Sequence, residues 1–418
     1  MSAPTLAIDF GTSNSAAAVL DGGKVRRLAI ENGSDTVPTA VFFPADRGAM
    51  QIGVEAAEAL ISGEEGRYMR ALKSVLGTTL FHEQRLIGGR RRTLADIVTA
   101  FLITVKTRAE AAAVCPFDRV VSGRPVHFHT ADPARDARAE ADLRGCYLAA
   151  GFTDVRFVFE PEAAALATHG LGRAGEIGLI YDIGGGTSDF SVFRSEGGRV
   201  RILASHGIRL GGTDFDHAVS MAHAMPHLGS TSTLRRQMGE GLLPVPNHLY
   251  VELSTWAKIP FLYTPETKAL VAEMLKLAVK PRLMRRLATV LKDELGHDLA
   301  FAVERGKISA NRGDDTASIV MERVEAGLSA PITRASLDAS LARYREGLRR
   351  ASAETLTMAG VTADQIGTVI LVGGSSLMGL VAQEAQALCP KAALQSADAF
   401  TAVVDGLALA TGQEFAAQ

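Results

Sequence analysis

Three glycine-rich turns each follow a short apolar run. The first reads Asp9-Phe10-Gly11-Thr12-Ser13-Asn14, the second Asp182-Ile183-Gly184-Gly185-Gly186-Thr187-Ser188-Asp189, and the third Gly373-Gly374-Ser375-Ser376. Glycine lets backbone N–H groups approach an anion without interference from a Cβ, and successive N–H groups in a turn form an anion nest. The hydroxyls of Thr12, Ser13, Thr187 and Ser188 add side-chain donors. Asp9 and Asp182 stand at strand ends, where a carboxylate can meet the hydrated Mg²⁺ that bridges phosphates. One such turn is explained as a hairpin. Three, two of them with a matching aspartate and hydroxyls, point to phosphate binding.

Other phosphate and hydrolase signatures fail. There is no GxxxxGK[ST], no HExxH and no GxSxG. A GxGxxG occurs at Gly170-Leu171-Gly172-Arg173-Ala174-Gly175, but it follows a helical pattern and precedes a strand, the reverse of the dinucleotide-binding context. It reads as a helix end and loop.

The elements that must position these turns follow from hydrophobic period and breakers. Strands are expected at 6–10, 16–20, 24–30 and 40–43. A helix broken by Gly63 and Gly66 is expected over 54–76, and another over 93–113. Then come a strand at 119–129, a helix from Asp132-Pro133 to Ala150, a strand at 155–159 and a helix at 162–169. The opening pattern restarts at 177–181, with a return strand at 190–193, which suggests an internal duplication. Residues 216–329 read as mostly helical. A long helix covers 333–358, a strand 369–372, and helices begin at Met378 and Thr401.

Composition sets outer limits. The 418 residues, 47% hydrophobic and 22% charged, exclude a wholly disordered chain. With 44 basic and 46 acidic residues the net charge of −2 argues against a dedicated nucleic-acid binder. Cys115, Cys146 and Cys389 form no CxxC pair, which fits a reducing compartment. No secretory signal and no run of membrane-spanning length is visible, so a cytoplasmic protein without nucleic-acid or membrane partners is the expectation.

The chain resembles the actin/hexokinase/Hsp70 ATPase superfamily, and within it the Hsp70 nucleotide-binding domain. The likeness rests on Ile8–Ser15, on Phe159-Glu160-Pro161-Glu162-Ala163-Ala164-Ala165, on Tyr181–Asp189, on Leu210-Gly211-Gly212-Thr213-Asp214-Phe215-Asp216, and on Val372-Gly373-Gly374-Ser375-Ser376. These stretches occur in the family's order along nearly the whole chain, and the Leu-Gly-Gly-x-Asp-Phe-Asp element is the most Hsp70-specific. The short bacterial YegD-type proteins, which end after the ATPase domain, look most similar. The resemblance implies an α/β, actin-like ATPase fold of two duplicated ribonuclease H-like lobes, each with an inserted helical and sheet subdomain. Lobe I would cover 1–170 with its small subdomain at about 37–103, and lobe II 171–418 with an enlarged one at about 217–330.

The resemblance also assigns roles. The cofactors would be ATP/ADP and Mg²⁺, with Asp9 and Asp182 as the carboxylates on the metal's waters. Gly11, Thr12, Ser13, Asn14 and Thr187 would contact phosphates, with Gly184, Gly185, Gly186, Gly211 and Gly212 lining them. Gly373, Gly374 and Ser375 would bear on the adenosine. Glu160 and Asp182 would place the attacking water, Thr187 would assist, and Lys73 would be the catalytic lysine. By spacing alone Lys73 reads as a solvated helix lysine.

Two departures stand out. Glu304-Arg305-Gly306-Lys307 resembles the ribose-gripping helix, but Ile308 stands where an adenine-stacking arginine is usual, and Leu377 replaces a second one. Losing both guanidinium planes implies weaker or less adenine-selective binding. The segment between Asp216 and Glu304, which holds the single tryptophan, Trp256, is longer than its Hsp70 counterpart and reads as an extension of the small subdomain or a partner surface. No peptide-binding domain is expected after the last ATPase helix.

The expected activity is slow, Mg-dependent ATP hydrolysis driving lobe closure, a chaperone-like switch read by a protein partner or client that the sequence does not name; oligomeric state is equally unspecified. A small-molecule kinase is the first alternative, with Asp118 and Asp132 in the region of a catalytic base. An actin-like filament protein is the second.

Overall fold

The computed structural model describes residues 4–46, 48–129, 132–169, 175–196, 200–256, 258–396 and 401–414. The Gly170–Ala174 part of the GxGxxG stretch lies outside them. The chain divides into two compact units, one of residues 1–209, 348–377 and 381–418, the other of 210–347 and 378–380.

The first unit begins with β1 Thr5–Phe10, β2 Asn14–Asp21, β3 Lys24–Leu28 and β4 Thr36–Pro38. A peripheral layer follows: β5 Ala40–Pro44, β6 Gln51–Ile52, α1 Val54–Ser62, β7 Gly66–Arg70, and the hairpin of β8 Arg85–Ile87 and β9 Arg90–Arg92. Next come α2 Leu94–Ala113, β10 Arg119–Arg124, α3 Pro133–Ala149, β11 Asp154–Phe159 and α4 Glu160–His169. The second pattern is β12 Ile177–Ile183, β13 Ser188–Ser195 and β14 Val200–Ile208.

The second unit holds α5 Gly212–Val219, the hairpin of β15 Thr233–Arg235 and β16 Leu242–Pro244, α6 Asn247–Leu253, α7 Pro265–Leu277, α8 Pro281–Lys292 and α9 Gly296–Asn311. It closes with β17 Ser318–Val320, β18 Ser329–Pro331 and the start of α10 Arg334–Ala359. The chain then returns to the first unit with β19 Ile366–Val372, most of α11 Gly379–Leu388, β20 Ala393–Ser396 and α12 Ala402–Glu414.

The two main sheets of the first unit repeat one topology. One runs β3-β2-β1-β10-β11 with β4 also on β2; the other runs β14-β13-β12-β19-β20. In both, the leading strand is antiparallel to its hairpin partner and parallel to the strand on its other side. This repetition is the actin-like ATPase arrangement of duplicated sheets.

Alternation along β1 places two layers. Leu6, Ile8 and Phe10 face a core shared with α2 and α3, while Ala7 faces a second core with α4, α12 and, from the other sheet, Ile180, Phe193, Ile370 and Val372. Small residues make that second core thin. A Cβ on Gly406 of α12 would lie 1.7 Å from the carbonyl oxygen of Ala163 in α4, so only glycine permits this helix crossing.

Two elements are shorter than the sequence pattern suggests. The helix expected over 54–76 stops at Gly63, which takes a left-handed φ of 80°, and the chain returns as β7 against β5. The strand expected over 119–129 ends at Arg124.

Candidate functional site

Lys73 lies on neither an α-helix nor a strand. β7 ends at Arg70, Ala71 adopts a left-handed conformation at φ 59°, and one 3₁₀ turn covers Leu72–Val75. Such a backbone costs a non-glycine residue about 1–3 kcal/mol and is retained where the surroundings hold it. Leu72 and Leu76, both buried, clamp the turn into the core. The imidazole of His129 hydrogen-bonds the Leu76 carbonyl at 2.8 Å, and the Gly77 amide donates to Asp142 Oδ2 at 2.9 Å. The Lys73 side chain is thereby held under the surface, 8% exposed.

Its partner is Glu160, the first residue of α4, to which the Lys73 ammonium donates. Gly123 on β10 makes room for that carboxylate: a Cβ there would lie 3.1 Å from Glu160 Cγ. Asp9, Asp182 and Asp189 complete the cluster. All three keep partial access to solvent.

Their titration records the crowding. Burial, then Glu160 and Asp189, push the Asp182 carboxyl up to about 8, against the pull of Lys73. Burial and then Glu160 push Asp9 up to about 7, with Asp182 adding to the rise. Asp189 also rises to about 7, chiefly by burial and then Glu160, with a hydrogen bond from Thr187 opposing. Burial works against the Lys73 charge, but Glu160, Asp9 and Asp182 outweigh it and hold the ammonium above its ordinary value. Four carboxyl groups thus share one ammonium.

That imbalance tests the fit of a metal. A hydrated divalent cation would supply the missing positive charge. Among the described residues no three acidic, histidine or cysteine side chains converge closely enough to ligate a metal directly. Asp9 and Asp182 therefore suit a cation held through its water shell, as Mg²⁺ commonly is.

The glycine turns converge beside this cluster. A Cβ on Gly185 would lie 2.6 Å from Ser13 Oγ, so the Asp9 and Asp182 turns meet there. Within the second turn the Gly184 amide donates to the Thr187 carbonyl at 2.9 Å. In the first, Gly11 has no room for a Cβ, which would lie 2.2 Å from the Asn14 carbonyl oxygen; Thr12 and Asn14 are half-buried beside it. The third turn joins from β19: Gly373, at φ 84°, passes so near that a Cβ would lie 2.9 Å from Asp182 Oδ1. Gly374, Ser375 and Leu377 follow on a single 3₁₀ turn, with Leu377 exposed.

Gly211, Gly212, Glu304, Lys307 and Ile308 lie in the second unit. Gly211 and Gly212 open α5, where the Gly211 amide donates to Asp214 Oδ2 at 2.9 Å. Glu304, Lys307 and Ile308 lie on α9, with Ile308 exposed at 40%. Lys307 is buried and pairs with Asp216 at 2.7 Å. Trp256 of the long segment reaches the same carboxylate, its indole N–H donating at 3.4 Å while its ring stands edge-on to Phe301. Asp132, a candidate base of the kinase alternative, caps α3 by accepting from the Arg135 amide at 2.9 Å.

Three participants carry no role in the sequence motifs: Asp189, Ala71 and Gly123. Asp189 stood inside the quoted motif, and the signal that assigns it is hairpin register: it pairs directly with Asp182. Ala71 and Gly123 act by backbone conformation and by an absent side chain, and no motif carries either.

Residues 84–236 match the family model described as Hsp70 protein. The match takes in Glu160, the Asp182 turn and Gly211-Gly212, while Asp9, Lys73, Glu304, Lys307 and Gly373 lie outside it. This stretch is Hsp70-like. The chain is similar to the chaperone protein DnaK of Methanothermobacter thermautotrophicus, 34% identical over 221 residues, which is 51% of this chain and 35% of that protein. It is also similar to the chaperone protein DnaK of Endomicrobium trichonymphae, 32% identical over 225 residues, 52% of this chain and 34% of that protein. The alignments thus span about a third of the length of these relatives. Among the described residues no helix is long and apolar enough to cross a membrane.

Proposed function

We propose that the chain is an Hsp70-like protein that binds Mg-ATP and hydrolyses it slowly, using ATP and ADP states as a switch for a protein partner or client. The observation that supports this most is the buried Lys73–Glu160 pair surrounded by Asp9, Asp182 and Asp189 where the two duplicated turns meet. Mg²⁺, held by its waters on Asp9 and Asp182, would offset charge on the phosphates.

The chain's own groups account for the rest. Backbone amides of the Gly11 and Gly184–Gly186 turns, with Thr12, Ser13 and Thr187, would bind phosphate oxygens. Phosphoryl transfer to water depends mainly on positioning and charge stabilisation. The Lys73 ammonium would orient the water and stabilise γ-phosphate charge, and Glu160 holds that ammonium in place. Asp182 or Glu160 would accept the water's hydrogen bond. Gly211, Gly212, Glu304 and Lys307 would serve the phosphates and ribose. Gly373, Gly374 and Ser375 would serve the adenosine, with Ile308 and Leu377 offering apolar contact in place of arginine stacking. Nucleotide selectivity would be looser in consequence. Likeness to the short YegD-type proteins is part of the same reading.

The test is single-turnover hydrolysis of bound ATP. Lys73→Ala should retain nucleotide and lose about 10²- to 10³-fold in rate. Equal rates in wild type and variant would remove Lys73 from the chemistry.

A further inference from the structure

A second charged feature lies apart from the aspartate cluster. The β8–β9 hairpin carries Arg85, Arg90, Arg91 and Arg92 within eight residues that hold no acid, in a chain of net charge −2. Its register sets Arg85 opposite Arg92, Leu86 opposite Arg91 and Ile87 opposite Arg90. Like charges placed directly opposite destabilise a strand pair, so folding alone gives no reason for this choice.

The hairpin is nonetheless firmly built. Gly88 and Gly89 take φ of 56° and 71°, the two positive values a tight two-residue hairpin turn needs. Ile87 is buried in the core shared with β1 and α2. The Arg92 guanidinium lies over the Phe43 ring, 4.9 Å from its centre. These anchors fix one face inward. Alternation then turns Leu86 and Arg91 outward together, while Arg85 and Arg90, which share the face of Ile87 and Arg92, are exposed at its margin.

The exposed side chains of the hairpin are unusual in content. Leu86 is 71% exposed. Arg85 reaches only the exposed Glu83, at 3.0 Å, and Arg90 and Arg91 form no ion pair among the described residues. β8 and β9 pair only with each other, so both outer edges are open among the described residues. Charges often serve to keep a strand edge from aggregating. An exposed leucine in the middle of the charges defeats that purpose.

We infer that this hairpin docks an acidic, extended polypeptide segment of a partner protein. Arginine forks bind carboxylates in a bidentate manner, and an extended segment presents alternate side chains to a strand edge. Its carboxylates would meet Arg91 on one face and the exposed Arg85 and Arg90 on the other, and an apolar side chain on the Arg91 face would cover Leu86. A nucleic-acid backbone would use the arginines and leave Leu86 bare, and the hairpin offers no aromatic ring for base stacking.

The test uses the full chain without nucleotide and fluorescence anisotropy of three labelled probes. These are a peptide of Glu-Leu-Glu repeats, the same peptide with serine for leucine, and a single-stranded oligonucleotide of equal length. The first probe should bind at low salt and weaken as salt rises. The Arg90→Glu, Arg91→Glu double variant should weaken it about ten-fold. Leu86→Ser should weaken it about five-fold without affecting the serine peptide. Lys24→Glu, a reversal on another hairpin, should change nothing. If the double variant fails to fold by circular dichroism, Arg91→Gln alone carries the test, with a smaller loss. Absence of binding at low salt, or an oligonucleotide bound as tightly and indifferent to Leu86, would overturn the inference. None of these outcomes depends on ATP hydrolysis, so failure here and failure of the ATPase reading are separable.

Discussion

Asp9 and Asp182 occupy the same place in two sheets of the same strand order, yet what stands across from each differs. Asp9 pairs with Ala16 on β2, and Asp182 pairs with Asp189 on β13. Around the first turn the chain supplies a cation, because the peripheral layer brings Lys73 in on a 3₁₀ turn and α4 supplies its counter-ion, Glu160. Around the second it supplies a second carboxylate. A duplicated scaffold has thus diverged into one half that positions the ammonium and another that concentrates negative charge. Two aspartates directly opposite on paired strands weaken a sheet. Both carboxyls are raised toward neutrality, which fits the proposal that a hydrated cation offsets their charge.

Asp189→Ala gives the second turn the residue found at the equivalent place in the first. It should lower single-turnover hydrolysis by about 10²-fold while raising the melting temperature of the nucleotide-free protein. Unchanged hydrolysis would mean that the asymmetry is incidental. Gly373→Ala should cost about 1–3 kcal/mol in chemical denaturation, because its φ of 84° suits glycine and a Cβ would press on Asp182. Weaker nucleotide binding should accompany the loss.

The pH dependence follows from the same crowding. Asp182 titrates at about 8 in the folded chain against an ordinary 3.8, and Asp9 and Asp189 at about 7. Between pH 4 and 8 the folded state therefore binds more protons than the unfolded state, so stability is greatest at the acid end and falls as pH rises. Thermal melts of nucleotide-free protein from pH 5.5 to 8 should show this fall. Asp182→Asn should flatten it, and a slope rising with pH would contradict the assignment. The smallest effect is expected at Asp132→Ala. It should cost about 1 kcal/mol through loss of the α3 cap and leave hydrolysis untouched. Loss of hydrolysis with an intact fold would instead favour the kinase alternative.

Much of this was legible in sequence because strand-to-turn transitions carry local signals. Asp9, Gly11, Asp182, the glycine triplet and Gly373 could be placed at strand ends from the apolar run that precedes each. What escaped depends on contacts between distant segments. Lys73 looked like a helix lysine because the sequence around Val54–Leu76 keeps helical spacing, and Gly63 ends that helix only because β7 finds a partner in β5. The position of Asp189 opposite Asp182 is a matter of register, and the room for Glu160 at Gly123 is a matter of packing. Trp256 reaches Asp216 across forty residues of chain, a distance no motif spans.

The central claim is that the Asp9 and Asp182 turns together hold Mg-ATP. Calorimetric titration of ATP into the full chain, with Mg²⁺ and with excess chelator, tests it most directly. Binding should require Mg²⁺ and should be lost in both Asp9→Asn and Asp182→Asn. Binding indifferent to Mg²⁺, or surviving in both variants, would contradict it.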